Sequence, residues 1–227
     1  GPARYGEQSC IRSTMTQTTI GYVGLNHHHA RPYLNTLETL PVSVTSACEP
    51  DESVDPDLAS FPGLSGVDLY RDPVALLSEE QPDVIWVTLS NRDTPAVVEE
   101  AVRRDVDVYV EKPVAKTAAD LDELLEVVEA TDATVSASTP WRAHPAAREL
   151  EDRAQSGFFG DLRSVEARFF ASQIAYRNPD HYLYDSEASR GGTLQWLGVH
   201  WIDLLEWLLE DSIVRVNATM SHGDPDV

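Results

Sequence analysis

Apolar and polar residues alternate along the first part of the chain in a pattern that predicts strands and helices in turn. An apolar run over residues 18–25 predicts a buried strand, residues 26–40 carry apolar side chains at helical spacing, and residues 41–49 predict a second strand. A short helix is predicted from Pro73. The pattern then repeats, with strands over 83–89, 107–113 and 133–139 and helices over 94–105 and 117–132. This alternation predicts an α/β domain of the Rossmann type, a doubly wound parallel sheet with helices on both faces.

The pattern changes character near Trp141. Beyond it the sequence predicts a linking helix over 141–157, a longer strand over 161–172, an amphipathic helix over 191–210 and a last strand over 213–221. Such elements predict an α+β domain with a mainly antiparallel sheet. Two strands and one apolar helix leave unpaired strand edges, so this second domain looks incomplete.

The chain is therefore divided into three regions. Residues 1–14 show no periodicity and are predicted to be a disordered leader. Residues 15–140 are predicted to form the dinucleotide-binding domain, and residues 141–227 the partial α+β domain.

The charge balance excludes one large class of partners. Asp and Glu number 38 against 17 Lys and Arg, which gives a formal net charge of -21, and Lys112 and Lys116 are the only lysines. A nucleic-acid binder has the opposite balance. The acidic residues are spread along the whole chain, which predicts a hydrated surface adapted to high salt and a halophile as the source.

Cysteine usage and hydropathy predict a cytoplasmic protein with no membrane partner. Cys10 and Cys48 are too few for a disulfide framework, and no basic segment followed by an apolar run marks a signal peptide. No stretch approaches the roughly 20 apolar residues that a membrane-spanning helix needs.

The turn after the first predicted strand is a candidate cofactor site. A dinucleotide-binding turn uses the pattern G-x-G-x-x-G so that the backbone can approach a pyrophosphate at the start of a helix. Only the first glycine, Gly24, is present, and Asn26 is the most tolerable substitute for the second because Asn reaches positive φ readily. An ordinary strand-to-helix turn is the alternative reading.

A run of three histidines, His27–His29, follows in the same turn. No metal is predicted there, because adjacent residues at a helix start point in different directions and no Cys or further His completes a site. The preferred interpretation places one imidazole, such as that of His27, near a phosphate.

Glu49 ends the second predicted strand, where a Rossmann fold places the acid that binds the ribose 2′-hydroxyl. A carboxylate there repels a 2′-phosphate, and no arginine follows. NAD is therefore predicted rather than NADP, although in so acidic a chain a loop Glu can also arise by chance.

The strand over 107–113 ends in Glu111, Lys112 and Pro113. Lys112 is one of just two lysines and is predicted at the carboxyl end of a parallel strand, where open α/β sheets bind ligands. A buried or charge-coupled lysine can take part in proton transfer or orient a hydroxyl group.

With these residues in place the chain resembles the Gfo/Idh/MocA family, the glucose-fructose oxidoreductase and inositol dehydrogenase relatives. The resemblance covers about residues 18–221. It is carried by Glu111-Lys112-Pro113, by a turn over 157–162 and by the helix pattern that runs from Gly191 to Asp203. It implies a nicotinamide-dependent oxidoreductase acting on a sugar or polyol, with Glu111, Lys112 and Pro113 in contact with the cofactor. Lys112 is expected near substrate and nicotinamide, and the proline in an often cis turn. It also implies that the second-domain sheet forms a homo-oligomer.

The family helix reads G-G-x-L-x-D-x-G-x-H-x-x-D, and its His handles the hydroxyl proton together with the lysine. This chain keeps His200 and Asp203 but has Trp196 at the first Asp position. An indole cannot accept a proton, so a carboxylate partner is lost. The structural alternative is that Trp196 and His200 are simply core residues of an apolar helix.

The resemblance assigns further residues. Ser90 and Asn91 stand in the loop where the family has Pro-Asn and then His, and they are predicted to contact the cofactor. Arg142 stands near an arginine where the chain crosses between domains, and with Trp196 and Asp203 it is predicted to bind substrate, a surface ion pair being the alternative for Arg142.

The leading functional prediction is hydride transfer between a sugar or polyol hydroxyl and NAD, with Lys112 and His200 as catalytic residues. NAD-dependent glycosidase chemistry stays open. So do two other readings: a non-catalytic ligand- or partner-binding homologue, and a fragment of a longer enzyme.

Overall fold

The computed structural model describes residues 17–171, 182–190, 192 and 194–219. Within them lies one six-stranded sheet in the order β3-β2-β1-β4-β5-β6. β1 runs parallel to β2 and β4, and β2 runs parallel to β3. The strands are β1 Thr18–Val23, β2 Val42–Cys48, β3 Asp68–Tyr70, β4 Val84–Val87, β5 Asp107–Val110 and β6 Val135–Ala137. This order confirms the doubly wound parallel sheet that strand-helix alternation predicts.

Among the described residues, four helices lie between strands, as the apolar spacing predicts, and three follow β6. They are α1 Ala30–Leu37, α2 Pro73–Glu80, α3 Thr94–Val102, α4 Ala118–Glu129, α5 Pro145–Gln155, α6 Ser186–Ser189 and α7 Val199–Leu209. Two of them begin with proline at the first position and a side-chain cap. Asp72 accepts the Val74 N–H, and His144 accepts the Ala146 N–H, which satisfies backbone donors that have no partner inside the helix.

The backbone forms two compact units. Of the described residues, the first unit contains residues 17–88 together with Val97–Tyr109 and Val127–Val135, and the second contains the others. A core of the first unit is built on the faces of β1, β2 and α1, by Ile20, Tyr22, Leu25, Ala30, Leu34, Leu37, Ala47 and Leu64. A smaller core in the second unit joins α5 to α7 through Ala147, Leu204 and Leu208, with three tryptophans packed around them.

The antiparallel sheet predicted for the second domain is not seen in the described residues. Residues 161–171 and 213–219, which alternation predicts as strands, lie in no strand, and every one of them is exposed. A strand exists only where a neighbour supplies its hydrogen bonds, and no such partner lies beside these residues in the described part of the chain.

Other boundaries also differ from prediction. In the described part of the helix expected over 191–210, a π-helical turn, Leu194–Gly198, precedes α7. The short strand β3 was not predicted, because three residues are too few to show a period. The predicted leader lies outside the described residues. No described helix has the length and apolar character needed to cross a membrane.

Candidate active site

The turn between β1 and α1 is built on close contact between two backbones. Gly24 has φ +97°, and a Cβ built on it would lie 2.2 Å from the carbonyl oxygen of Thr88. Gly24 N–H donates to Cys48 O (2.9 Å), and the Thr88 hydroxyl donates to Gly24 O (2.7 Å). Only glycine fits here, since any side chain would collide with backbone atoms.

Glu49 lies directly against this turn, with 2% of its surface exposed. Its Oε2 accepts the backbone N–H of Asn26 at 2.7 Å, and its Oε1 accepts the N–H of Asp51 at 3.1 Å. Burial raises the pKa of the Glu49 carboxyl, while the hydrogen bonds from Asp51 and Asn26 act in the opposite direction. The structure therefore brings together three predicted cofactor residues, Gly24, Asn26 and Glu49.

The three histidines converge. The ligand-capable atoms of His27, His28 and His29 all lie within 4.8 Å of one another, and neighbouring ring centroids are 4.0–4.3 Å apart. The prediction that they point in different directions is wrong, because α1 begins only at Ala30 and helical divergence does not apply to a turn.

Hydrogen bonding decides what this cluster offers a ligand. His27 Nδ1 accepts the backbone N–H of His29 at 3.1 Å, so a neutral His27 carries its proton on Nε2. A nitrogen that carries a proton donates a hydrogen bond, whereas a metal needs a lone pair. His27 in this state suits an anion such as a phosphate, and its use as a metal ligand would require the hydrogen bond from His29 N–H to break.

Cys48, the described cysteine, is a buried free thiol beside Glu49. Burial and the neighbouring carboxylates of Glu49 and Asp72 raise the pKa of the Cys48 thiol to about 12. The thiol is therefore protonated at neutral pH, and Cys48 is not a candidate nucleophile.

The residues that follow β5 form a buried, charged turn in the second unit. Glu111 and Lys112 are 4% and 7% exposed, and the peptide bond between Lys112 and Pro113 is cis. Lys112 Nζ lies 3.8 Å from Glu111 Oε1. A buried ammonium group costs solvation free energy unless it is paired and hydrogen-bonded, so the carboxylate beside it stabilises the charge.

Lys112 reaches the segment that carries His200. Its Nζ donates to the backbone carbonyl of Trp196 at 2.9 Å and lies 5.9 Å from the centre of the Trp196 ring. Trp196 belongs to the π-helical turn that precedes α7, and such turns occur often at functional sites. His200 is buried one turn further along. Lys112 thus contacts the turn four residues before His200, the other predicted catalytic residue.

His200 has an aromatic neighbour that the sequence analysis assigned no role. The indole of Trp141 lies against the imidazole with ring centroids 5.1 Å apart and planes 8° from parallel. The next residue, Arg142, donates two hydrogen bonds to the Asp203 carboxylate, from Nε to Oδ2 at 2.9 Å and from Nη2 to Oδ1. Two of the predicted substrate residues, Arg142 and Asp203, are therefore paired with each other, and hydrogen bonding to Asp203 raises the pKa of Arg142.

Ser90 and Asn91 form the turn that begins α3. The Ser90 hydroxyl donates to Asp93, and the buried Asn91 amide donates to Ser189 O at 3.0 Å. Both predicted cofactor residues thus bond to the protein itself, and Asn91 joins the turn to α6.

The segment containing α6 and Trp196 is also held by the chain's two lysines. Lys116 Nζ donates to Glu187 O at 2.9 Å, as Lys112 does to Trp196 O, and Gln195 donates back to Lys116 O at 3.0 Å. These backbone acceptors could not be found from sequence, because any residue type offers a carbonyl.

Comparison with family models decides the kinship of the chain. The model of the "Oxidoreductase family, NAD-binding Rossmann fold" matches residues 18–139, and the "GFO/IDH/MocA C-terminal domain" matches residues 147–227. The chain belongs to the Gfo/Idh/MocA family.

Individual family members match at low identity. D-xylose 1-dehydrogenase [NADP(+)] of Haloarcula marismortui is 24% identical over 61% of this chain and 39% of its own length. D-apiose dehydrogenase of Paraburkholderia graminis is 25% identical over 89% of this chain and 51% of its own. The chain thus spans about half the length, or less, of these relatives.

Among solved structures of the same fold is the WlbA dehydrogenase of Bordetella pertussis, crystallised with NADH and UDP-GlcNAcA. It superposes with a TM-score of 0.74 at 16% identity, over 86% of this chain and 56% of the other. At this identity the likeness supports the fold alone.

Against the family helix pattern, Trp196 is the clearest departure. Its carbonyl oxygen accepts a hydrogen bond from Lys112 Nζ, and this contact needs no particular side chain at position 196. Position 196 therefore lacks the carboxylate of the family pattern, and Lys112 bonds to a backbone carbonyl there.

Proposed function

We propose that this chain is the NAD-binding and catalytic part of an oxidoreductase that transfers hydride between a sugar or polyol hydroxyl and a nicotinamide cofactor. The observation that carries the proposal is the bond from buried Lys112 to the turn that leads into His200. An isolated buried charge costs solvation free energy, so a buried lysine retained at the end of a parallel strand in a family of oxidoreductases is a candidate proton-transfer group.

Lys112 and His200 are proposed as the catalytic residues. The nicotinamide, when bound, supplies the hydride acceptor. Lys112 orients the substrate hydroxyl and favours loss of its proton, because an ammonium group stabilises developing negative charge on oxygen. His200 takes that proton as a general base, and in the reverse direction it returns it. Glu111 keeps the charge of Lys112 balanced.

The residues proposed to bind a dinucleotide in the first unit are Gly24, Asn26, His27 and Glu49. Gly24 presents only main-chain atoms, because the close approach of Thr88 O leaves no room for a side chain. Glu49 follows the second strand, where Rossmann folds carry the acid that contacts a ribose. Asn26 and His27 complete the turn, His27 with an N–H suited to a phosphate oxygen. Ser90, Asn91 and Pro113 are proposed as further cofactor contacts.

We expect NAD to bind more tightly than NADP, and Glu49→Ala to narrow that difference. The carboxylate repels a 2′-phosphate and accepts hydrogen bonds from ribose hydroxyls. Its removal should therefore weaken NAD binding and remove the repulsion that weakens NADP binding. Affinities of both cofactors should be measured calorimetrically for the unsubstituted chain and for Glu49→Ala.

Glu52→Ala is the matched control for Glu49→Ala, because Glu52 is an exposed acid in the same loop. It should leave the ratio of affinities unchanged. Since Glu49 also accepts two backbone N–H groups, circular dichroism must show that Glu49→Ala is folded at the temperature used. Equal affinities for NAD and NADP in the unsubstituted chain would refute the role of Glu49.

The substrate class follows from the named activities of the relatives, which include D-xylose 1-dehydrogenase and D-apiose dehydrogenase. Arg142, Trp196 and Asp203 are proposed as substrate contacts. Arg142 binds Asp203 on the helix that carries His200, and each partner keeps hydrogen-bonding capacity for a sugar hydroxyl.

The proposed function is tested by screening aldoses, inositols and other polyols for NAD reduction. The screen should include molar salt and any longer protein that contains this chain, because the chain spans about half the length, or less, of the relatives it matches. Substrate-dependent formation of NADH that His200→Asn abolishes would support the proposal. Reduction of NAD that survives His200→Asn would remove His200 from it.

A second function is favoured by Trp196. A family member whose helix has lost its acid could bind NAD or a sugar without turning it over. Calorimetry separates the two: binding of both ligands by a folded full-length protein, with no turnover of any of the substrates tested, identifies the non-catalytic homologue.

The domain and assembly assignments are part of the proposal. Residues 15–140 are proposed as the cofactor domain and residues 141–227 as part of the substrate domain, which the ranges of the two family models support. A homo-oligomer formed through a sheet of the second domain is proposed on family resemblance, and a cytoplasmic location is proposed on cysteine usage and hydropathy.

A halophilic origin is proposed from the charge of -21. Salt screens repulsion among the acidic side chains, so the melting temperature should rise by several degrees between low and molar KCl. Differential scanning calorimetry measures it, with molar sucrose as a control for general solvent effects. A melting temperature that does not change with KCl would contradict salt adaptation.

A further inference from the structure

The indole ring of Trp141 stacks on the imidazole ring of His200. The two rings are nearly parallel, at 8°, with centroids 5.1 Å apart, which is the offset-stacked geometry that aromatic pairs favour. Trp201 in turn meets the Trp141 ring edge-on, with centroids 4.8 Å apart and planes at 88°. The indole is thus fixed from one side by Trp201 and presents its plane to the imidazole.

The same short turn also fastens the helix that carries His200. Trp141 and Arg142 lie in a 3-10 turn, Pro140–Ala143, and Arg142 bonds Asp203 on α7 through a two-pronged contact. Asp203 is three residues beyond His200, on the same side of the helix. One turn therefore controls both the position of α7, through Arg142, and the plane of the imidazole, through Trp141.

The plane of a histidine ring needs such a control. Rotation about the last side-chain bond of histidine is broad, so helix geometry alone does not select the ring orientation. The family pattern has a carboxylate four residues before the histidine, and this chain has Trp196 there. The stacked indole supplies an orienting contact of a different chemical kind.

We infer that Trp141 is a positioning residue, which holds the imidazole of His200 in the orientation that receives the substrate's hydroxyl proton. The inference rests on the proposed function for its catalytic consequence. A proton acceptor must lie within hydrogen-bond reach of the proton it takes, and a misplacement of about 1 Å can lower a rate by about 100-fold.

Two substitutions separate positioning from packing. Trp141→Phe keeps a flat ring for the imidazole, whereas Trp141→Leu keeps apolar packing and removes the flat face. We expect Trp141→Phe to retain kcat within a few fold and Trp141→Leu to lower kcat by about 10-fold or more, with KM little changed in either. Equal kcat values in Trp141→Phe and Trp141→Leu would overturn the inference.

Trp207→Leu is the matched control for loss of packing. Trp207 packs against the same small core as Trp141 and contacts Arg148, and it has no described stack on His200. It should lower the melting temperature and leave kcat per folded molecule unchanged. A fall in kcat as large as that of Trp141→Leu would show that the core, and not the stack, is responsible.

A second readout does not depend on turnover. A ring stacked on an indole has its proton resonances displaced upfield, so His200 ring protons, assigned by their loss in His200→Asn, should lie upfield and move downfield in Trp141→Leu. An unchanged His200 resonance in Trp141→Leu overturns the inference whatever the enzymatic result. A displaced resonance in a protein without turnover supports the stack and counts against the proposed function.

Discussion

Lys112→Met should lower the turnover of NAD-dependent sugar or polyol oxidation by about 100-fold or more, the usual scale for a positioned proton-transfer group. Methionine has nearly the same length but no charge and no N–H donor. The substitution removes the bond to Trp196 O and leaves Glu111 without the ammonium group 3.8 Å away. NAD affinity should stay within a few fold, because the carboxylate and turn proposed to hold the cofactor lie elsewhere in the chain.

Lys116→Met is the matched control for this prediction. Lys116 is the chain's other lysine, and it too donates to a backbone carbonyl of the α6 segment, that of Glu187. Lys116→Met therefore removes the same charge and the same kind of hydrogen bond as Lys112→Met. We expect Lys116→Met to keep turnover within a few fold, with any loss confined to stability.

The measurement compares steady-state kcat, NAD affinity and melting temperature for the three proteins. A catalytic Lys112 lowers kcat specifically. A structural Lys112 lowers the melting temperature while specific activity per folded molecule stays intact. If an active protein is found and Lys112→Met retains its turnover, the mechanism proposed for this site is wrong at its centre.

Gly24→Ala should lower the free energy of unfolding by about 3 kcal/mol, from collision with a packed backbone and from a positive φ that side chains disfavour. The Cβ would lie 2.2 Å from Thr88 O and 2.6 Å from Thr88 C. Both are main-chain atoms of the segment that follows β4, so relief requires β1 and its neighbour to move apart.

Gly66→Ala separates strain from collision. Gly66 also has a positive φ, +81°, but nothing lies within 4 Å of a Cβ built there. We expect it to cost about 1 kcal/mol, from backbone strain alone. Urea unfolding of the two variants measures the difference, and similar losses for both would mean that the turn at Gly24 relaxes without cost.

At the histidine cluster the sequence pattern predicts the wrong geometry. Divergence of adjacent side chains is a property of a helix, and the sequence places His27–His29 at a predicted helix start. The helix begins at Ala30, and in the preceding turn the three imidazoles come within 4.8 Å. A shift of the boundary by a few residues, which no periodicity can locate, reversed the geometric conclusion.

The π-helical turn is a related case. Apolar spacing over residues 191–210 predicts one helix, and the structure has a π-helical turn before α7. Over a turn of five residues, spacing cannot distinguish the wider turn from an α-helical one. The Lys112 contact at Trp196 lies in that turn, and so could not be anticipated.

Sequence alone determined the elements and the chemistry available to them. The period of apolar residues reports burial of each strand or helix locally, and it led to the parallel sheet. Gly24 and Lys112 were found because glycine and lysine have properties that few other residues share. These signals are local, since they lie within a few positions of one another along the chain.

Only the tertiary structure decided which residues meet. Lys112 and Trp196 O are separated by 84 positions, Arg142 and Asp203 by 61, and nothing in the local pattern names these partners. Trp141 shows the same limit, because an indole looks like any core residue until its plane is found against His200. Apolar surface is buried without regard to direction, so hydrophobicity selects what is inside, and packing selects the neighbour and its orientation.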